Sequence, residues 1–381
     1  MFRSNDIVVL DINSKFITAI IASPKSSEVC GIKASVKKKY SGFRDGVYFD
    51  EKEVKQTALE ALKHVLSKQK VKRRTLYVSV PSEFATVVAR GVSTEFEHIK
   101  KIENTDVNAL LDKADIYQKE NEFIPINVSA VYFECDKNGK KLLDPTGESA
   151  GSLVALSSCV LCSNKHISLF NSVAKEAGFS HCEFISSALA QCIYLFEAEE
   201  RMRELLLIDL GYLSSSVSVV QGGGIKALKS FSYGSAYIAA EIYSAFNISF
   251  DSALELLEKV DLNLVYGIDD YCLTESGDKI ALAEVSEVVK SGLDTLVTTL
   301  KEAIVLCEYR HLPELPFFLT GEGITSIRGA IKYIEHGLIK AIEVVAPKLP
   351  PYNKPTESSA ISLLNAAMHC SGKKIGRMLR F

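Results

Sequence analysis

One pattern occurs twice in this chain. IVVLDINSKFITAII occupies Ile7 to Ile21, and LLLIDLGYLSSSVSVV occupies Leu205 to Val220. Each is an apolar strand ending in aspartate, then a short turn of small or polar residues, then a second apolar strand. That pattern predicts a β-hairpin whose turn carries a carboxylate at its mouth. Two such hairpins, one opening each half of the chain, predict a duplicated α/β fold of two lobes. Chemistry is then expected in the cleft between the halves.

A length of 381 residues accommodates two domains or more. An apolar content of 47% and a charged content of 24% are those of an ordinary globular protein, which excludes a disordered chain. The formal charge of −3 predicts no nucleic-acid partner. No apolar run reaches the roughly 18–20 residues needed to span a bilayer. An acidic residue precedes the first apolar run, so no secretory signal peptide is expected. Nine cysteines, an odd number, sit mostly inside apolar segments and predict buried, reduced thiols and a cytoplasmic setting. Cys159 and Cys162 form a C-x-x-C without a second pair, which favours buried strand residues over a zinc or redox site.

Strand and helix signals alternate along the chain. Glu51 to Gln69 has helical apolar spacing, and RTLYVSVP reads as a strand closed by Pro81. The charged stretch from Ser82 to about Leu156 predicts a compact inserted αβ unit, with DKNGKK as its hairpin turn. A strand follows, then a helix ended by Gly178 and a second helix through ISSALAQCIYLFEAEERM. Gly234 to about Leu306 is mainly helical in pattern. Thr320-Gly321-Glu322-Gly323 then stands between an apolar strand and a helix expected to begin near Ser326. Glycines there let backbone approach a ligand, and a helix N-terminus favours an anion.

Hairpin, hairpin and glycine loop are the order of the phosphate-one, phosphate-two and adenosine loops in the actin, hexokinase and sugar-kinase superfamily. Within it the chain resembles the FtsA family of bacterial division proteins over nearly its whole length. GFRDGVYFD at Gly42 to Asp50 and LLDPTGESAGSLVAL at Leu142 to Leu156 carry the likeness, with Gly151 one residue late. FISSALAQCIYL, FSYGSAYIAAEIYSAFNIS and FFLTGEGITSIRGAIKYIEHGL match further blocks in order. The resemblance implies an actin-like ATPase fold with residues 1–82 and 157–203 as subdomain 1A and 83–156 as the inserted subdomain 1C. Residues 204–234 and 279–370 become 2A, 235–278 become 2B, and 371–381 a membrane-targeting segment.

The resemblance also implies site residues and ligands, ATP and Mg²⁺. Asp11 and Asp209 match the aspartates that face hydrated Mg²⁺ and the attacking water. Asn13, Ser14 and Lys15 fall in the first phosphate loop, and Gly211, Tyr212 and Ser214 in the second. Gly234 and Ser235 match a turn near the ribose and phosphates. Gly321, Glu322 and Gly323 form the adenosine loop, and Lys290 matches a basic residue over the base. Carboxylates holding hydrated Mg²⁺, glycines admitting phosphate and cations meeting charge make one consistent chemistry.

Each loop departs from the family pattern. Asn13 replaces the first loop's glycine, and its tolerance of a left-handed backbone is expected to preserve the turn. Tyr212 and Leu213 replace glycines of the second loop, and Ser216 replaces its last aspartate. Glu322 places a negative charge in the adenosine loop. ATP binding with weak or absent hydrolysis is the expectation.

The C-terminal SGKKIGRMLRF follows a helix-like run. On a helical wheel Ile375, Met378 and Leu379 share one face, Lys373, Arg377 and Arg380 lie opposite, Lys374 is intermediate and Phe381 flanks. Such a basic amphipathic segment is expected to lie on an anionic membrane surface. By the resemblance, the partners are the FtsZ C-terminal tail at 2B, further copies of the chain and the inner membrane face at the division site. The alternatives are a PilM-like cytoplasmic adaptor of a pilus or secretion system, a superfamily ATPase or kinase, and a degenerate actin-like scaffold. No segment expected to bind a kinase substrate accompanies the loops.

Overall fold

A computed structural model describes residues 6–24, 30–72, 74–114, 122–307 and 315–371. It divides into two compact units. Unit 1 is built from the chain up to Leu205, Ser218–Leu228 and the chain from Ser359; unit 2 is built from Leu206–Val217 and Lys229–Ser358.

Unit 1 begins with β1 (Ile7–Ile12) and β2 (Phe16–Pro24), antiparallel in the register Asp11↔Thr18 and Ile12↔Ile17, and continues into β3 (Cys30–Lys39). β1 is buried throughout, as an apolar strand covered on both faces must be. A small hairpin of β4 (Phe43–Arg44) and β5 (Val47–Tyr48) leads into α1 (Glu51–Lys68). Asp50 caps α1 by accepting the Glu53 N–H at 2.9 Å. Val54, Ala58, Ala61, Leu62 and Val65 make the buried stripe of α1. β6 (Thr75–Val80) then pairs parallel with β1.

The chain next builds a separate three-stranded antiparallel sheet in the order β7-β9-β8. Its elements are β7 (Ala85–Lys101), α2 (Asn104–Asp112), β8 (Phe123–Cys135) and β9 (Ser149–Ser163). Val107, Leu110 and Leu111 of α2 join Val128, Leu153 and Ala155 in a core of its own. At the DKNGKK turn, Asp136 and Lys137 take positive φ, and Phe133 bridges to Leu142. β9 runs unbroken to Ser163, through the position where the sequence places the end of the insertion. Cys159 and Cys162 lie on β9 at an odd spacing, so their side chains point to opposite faces. Both thiols are buried, and burial raises the Cys162 pKa.

α3 (Asn164–Glu176) follows, and Gly178 just beyond it has φ +82°. β10 (His181–Ser186) completes the first sheet in the order β10-β6-β1-β2-β3. α4 (Ser187–Leu195), capped by Ser186, ends well before Met202. The sequence predicts one helix there. Instead Glu200–Met202 is a separate 3₁₀ turn, with the buried Arg201 guanidinium donating to the carbonyls of Phe196 and Gly222.

The second sheet repeats that order. β11 (Leu205–Leu210), β12 (Ser215–Gln221) and β13 (Gly224–Phe231) are consecutive. After them come α5 (Ser235–Phe246), α6 (Phe250–Lys259), the small hairpin β14 (Tyr271–Leu273) and β15 (Lys279–Ala281), and the long α7 (Leu282–Leu306). β16 (Phe317–Thr320) adds parallel to β11, with Asp209 opposite Thr320. α8 (Ala330–Leu338) leads to β17 (Ile342–Val344), parallel to β16. The order β13-β12-β11-β16-β17 therefore matches β3-β2-β1-β6-β10: three consecutive strands, then two added in parallel. The helix expected near Ser326 begins later. Ile324–Ser326 is a 3₁₀ turn, and Gly329 at φ +83° precedes α8.

The last described helix, α9 (Ser358–Ser371), returns to unit 1. Leu363, Leu364, Ala367 and Met368 pack with Ile7, Val9, Ile20 and Tyr77 of the first sheet.

Candidate nucleotide-binding loops

The first aspartate loop belongs to unit 1. Asp11 is 2% exposed, and its Oδ1 accepts the Ser359 hydroxyl of α9 at 2.6 Å. Asn13 folds the turn with its side chain, its Oδ1 accepting the N–H groups of Lys15 at 2.9 Å and Phe16 at 2.7 Å. The Asn13 N–H closes the turn on the Phe16 carbonyl at 3.0 Å. Asn13 is not among the residues with positive φ, which corrects the sequence expectation. Asparagine serves here as an acceptor, and a left-handed backbone is not needed. The buried Tyr40 hydroxyl donates to the Asn13 carbonyl at 2.8 Å, and its N–H reaches the Lys15 carbonyl at 3.3 Å. Ser14 is buried in the turn, and the Lys15 ammonium stands 5.3 Å from the Phe16 ring centroid.

Behind this loop lies a buried histidine. His166 of α3 is surrounded by Tyr48, Phe84, Phe170 and Phe184 at centroid distances of 4.7 to 6.0 Å. Burial pushes the imidazole pKa down to about 3, opposed by the hydrogen bond to the Ser79 carbonyl. The folded chain therefore binds this proton less readily than the unfolded chain, whose value is the ordinary 6.5. The neutral ring stabilises the fold fully above pH 6.5, and that contribution is lost as pH falls toward 3. In urea titrations the unfolding constant is expected to rise by up to about tenfold per pH unit in this window from this group. His166→Phe should flatten that dependence.

The second aspartate loop belongs to unit 2, and its neighbours are glycines. The Gly211 N–H donates to the Ser214 carbonyl at 3.1 Å across the turn. The first turn of α5 holds the loop from outside: the N–H groups of Ser235 and Ala236 donate to the carbonyls of Gly211 and Tyr212 at 3.2 and 2.9 Å. Gly323 donates to the Leu210 carbonyl at 2.9 Å. A Cβ on Gly234 would lie 2.5 Å from the carbonyl oxygens of Gly211 and Tyr212, and one on Gly321 2.5 Å from the Asp209 carboxylate. One on Gly323 would lie 1.9 Å from the Gly211 oxygen. The sequence reads these glycines as room for a ligand. The structure shows that they first make room for the aspartate loop itself.

Asp209, Gly211, Tyr212, Ser214, Gly234, Ser235, Gly321 and Gly323 are thus brought together within unit 2, and Glu322 sits half-buried in the same turn. Lys290 pairs along α7 with Glu287 at 2.7 Å. Lys373, Lys374, Ile375, Arg377, Met378, Leu379, Arg380 and Phe381 lie outside the described residues. Ser359, Ser79 and Tyr40, which hold the first loop, escape sequence reading because a single hydroxyl has no periodic signal.

The donor set is compatible with Mg-nucleotide chemistry in its carboxylates. Hydrated Mg²⁺ needs few direct protein ligands, and each loop taken by itself carries one carboxylate of the type that makes outer-sphere contact. Four backbone donors around the second loop (Gly211, Ser235, Ala236 and Gly323) are engaged within the protein.

No protein-family model and no curated protein sequence matches the chain. Solved structures do. The PilM–PilN type IV pilus biogenesis complex matches at TM-score 0.64 and 14% identity, covering 95% of this chain and 98% of that one. MreB 5 of Spiroplasma citri bound to AMPPNP matches at 0.53 and 12%, covering 96% and 95%. The fold is actin-like. The ethanolamine utilization protein EutJ from Carboxydothermus hydrogenoformans gives 0.53 and 13%, covering 94% and 89%. An actin-like fold accounts for the repeated strand order and for an aspartate hairpin at the head of each sheet. Among the described residues no helix is long and apolar enough to cross a membrane.

Proposed function

We propose that the chain is an actin-like adaptor that binds ATP with Mg²⁺, self-associates and tethers an FtsZ-type ring to the inner membrane face, as FtsA does. The observation that supports an adaptor over a kinase is the separately cored insertion, β7 to β9, which accompanies the two aspartate hairpins. The LLDPTGESAG block and the basic C-terminal residues favour the FtsA-like form of that reading. Asp11 and Asp209 would hold hydrated Mg²⁺, which screens the phosphates when the nucleotide is bound. Ser216, buried on β12, supplies no carboxylate where the family pattern has one, so hydrolysis is weak or absent. In the 2B stretch, Ala253, Leu256 and Leu257 of α6 are buried in packing, which makes that helix structural. Val265 at 99% exposure and Ile268 at 87% are the most exposed of several apolar side chains there, with Leu264 and Leu273, that a partner tail could meet.

Titration with a fluorescent ATP analogue tests the nucleotide part. Saturable, Mg²⁺-dependent binding with little phosphate release is expected, and Asp11→Ala should weaken it at least about tenfold. Absence of saturable binding would leave a scaffold without nucleotide.

A second reading, a PilM-like adaptor, is favoured by the TM-score of 0.64 to the PilM–PilN complex and by a groove in unit 1. The groove encloses about 970 Å³ and is lined by Val47, Tyr48, Phe84, Phe123 and Leu169 with charged rims, suiting an extended partner peptide. Under that reading the basic C-terminal segment is dispensable.

A further inference from the structure

We propose that His166 is a positioning residue of the first aspartate loop, acting through Ser79; the proposal rests on reading that loop as a phosphate-binding turn. The ladder between β1 and β6 ends at the pair Leu10↔Val78, one residue before Asp11. Beyond it a side chain takes over from the backbone. Ser79 Oγ accepts the Ile12 N–H at 2.7 Å, fixing the peptide that follows Asp11. Ser79 is fully buried, so this bond has no competition from solvent.

Ser79 is itself held by His166. The Ser79 carbonyl lies 3.0 Å from His166 Nε2, and a carbonyl only accepts, so Nε2 carries the proton. That tautomer leaves Nδ1 as an acceptor, and the Tyr48 hydroxyl donates to it at 2.9 Å. Both ring nitrogens are therefore used, inside a box of aromatic rings where a phenylalanine would fill the same space without polar atoms. A buried polar group held at both ends defines one orientation of its neighbours. Here the orientation passes from Tyr48 on β5 through His166 on α3 to the end of β6, and from there to the loop. Tyr40 supplies a second tie, to the Asn13 carbonyl. The peptide that follows Asp11 is thus held by Ser79, and the one that follows Asn13 by Tyr40.

The test compares His166→Phe, His166→Gln, Ser79→Ala and Phe170→Leu in the full chain. Phe170 packs on the imidazole at 4.7 Å without a hydrogen bond, so its variant reports packing alone. Readouts are amide exchange over residues 11–16, affinity for a fluorescent ATP analogue with Mg²⁺, and thermal stability. His166→Phe and Ser79→Ala are each expected to speed loop exchange and weaken the analogue by about tenfold, the effect of one buried hydrogen bond. Their combination should be no worse than either alone, because both cut one relay. Glutamine offers one donor and one acceptor and should restore the loop. Phe170→Leu should lower stability and leave both loop readouts unchanged. Should His166→Phe fail to fold, Ser79→Ala carries the same expectation. Loop exchange unchanged in Ser79→Ala, or shifted equally in Phe170→Leu, overturns the proposal. If the unmodified chain binds no analogue, the nucleotide reading fails, and the exchange arm still decides whether His166 positions the loop.

Discussion

Gly323→Ala should lower the stability of unit 2 by about 3 kcal/mol, the upper end of overpacking costs. Gly323 has φ −87°, a conformation open to any residue, so the cost is steric and not conformational. The new methyl would meet the Gly211 oxygen at 1.9 Å and its carbonyl carbon at 2.7 Å, and backbone cannot turn aside as a side chain can. Retreat is also blocked. The Gly323 N–H is bonded to Leu210, and the Gly211 carbonyl accepts from Ser235, so separating the two segments breaks one of these bonds. Urea unfolding followed by circular dichroism would show the loss. Nucleotide-analogue affinity should fall with it, because the displaced segment carries Asp209 and Gly211. A variant as stable as the parent would mean that the loops are not packed as described.

The second large effect lies in unit 1, at the turn between β12 and β13. Gly222→Ala is expected to destabilise by more than about 3 kcal/mol, because a left-handed backbone and a steric overlap act together. Gly222 has φ +56°, and a Cβ there would lie 1.7 Å from the Val131 oxygen of β8. The turn is pinned on that strand by the Gly223 N–H, which reaches the same oxygen at 3.1 Å, and by the Arg201 guanidinium on the Gly222 carbonyl. Gly139→Ala is the matched control. It shares a positive φ, +77°, with nothing within 4 Å of its Cβ, so only conformational strain of about 1 kcal/mol is expected. Equal effects at the two glycines would remove the case for close docking of the turn on β8.

Both predictions concern contacts that sequence reading places poorly, and the reason is physical. The hairpins β1–β2 and β11–β12 are legible because strands covered on both faces must be continuously apolar, and an aspartate at the end of such a run stands out. The charged stretch from Ser82 to about Leu156 stands out between buried strands and carries the β7-β9-β8 sheet, and the C-x-x-C is explained once its odd spacing is set on a strand. Long-range geometry is not written in local patterns. In the sequence Asn13 reads as a tolerated left-handed residue, whereas its carboxamide builds the turn. Gly234, Gly321 and Gly323 looked like ligand space, whereas the nearest group is the protein's own second loop. The start of α8 is not legible because helical periodicity does not distinguish the 3₁₀ turn at Ile324–Ser326 from the helix beyond it. Ser79 and Ser359 carry no pattern, yet they hold Ile12 and Asp11.

The most direct test of the adaptor account is liposome co-sedimentation, with and without Mg-ATP, of the full chain and of a version ending at Cys370. Cys370 lies at the end of the α9 core contacts, so the shorter chain keeps the packing of unit 1. A basic amphipathic segment binds an anionic surface weakly alone, and self-association multiplies such anchors through effective concentration. The account predicts that only the full chain pellets with anionic vesicles and that Mg-ATP increases the pelleted fraction. If both versions stay in the supernatant under every condition, the membrane tether is contradicted and the groove-centred, PilM-like reading takes its place.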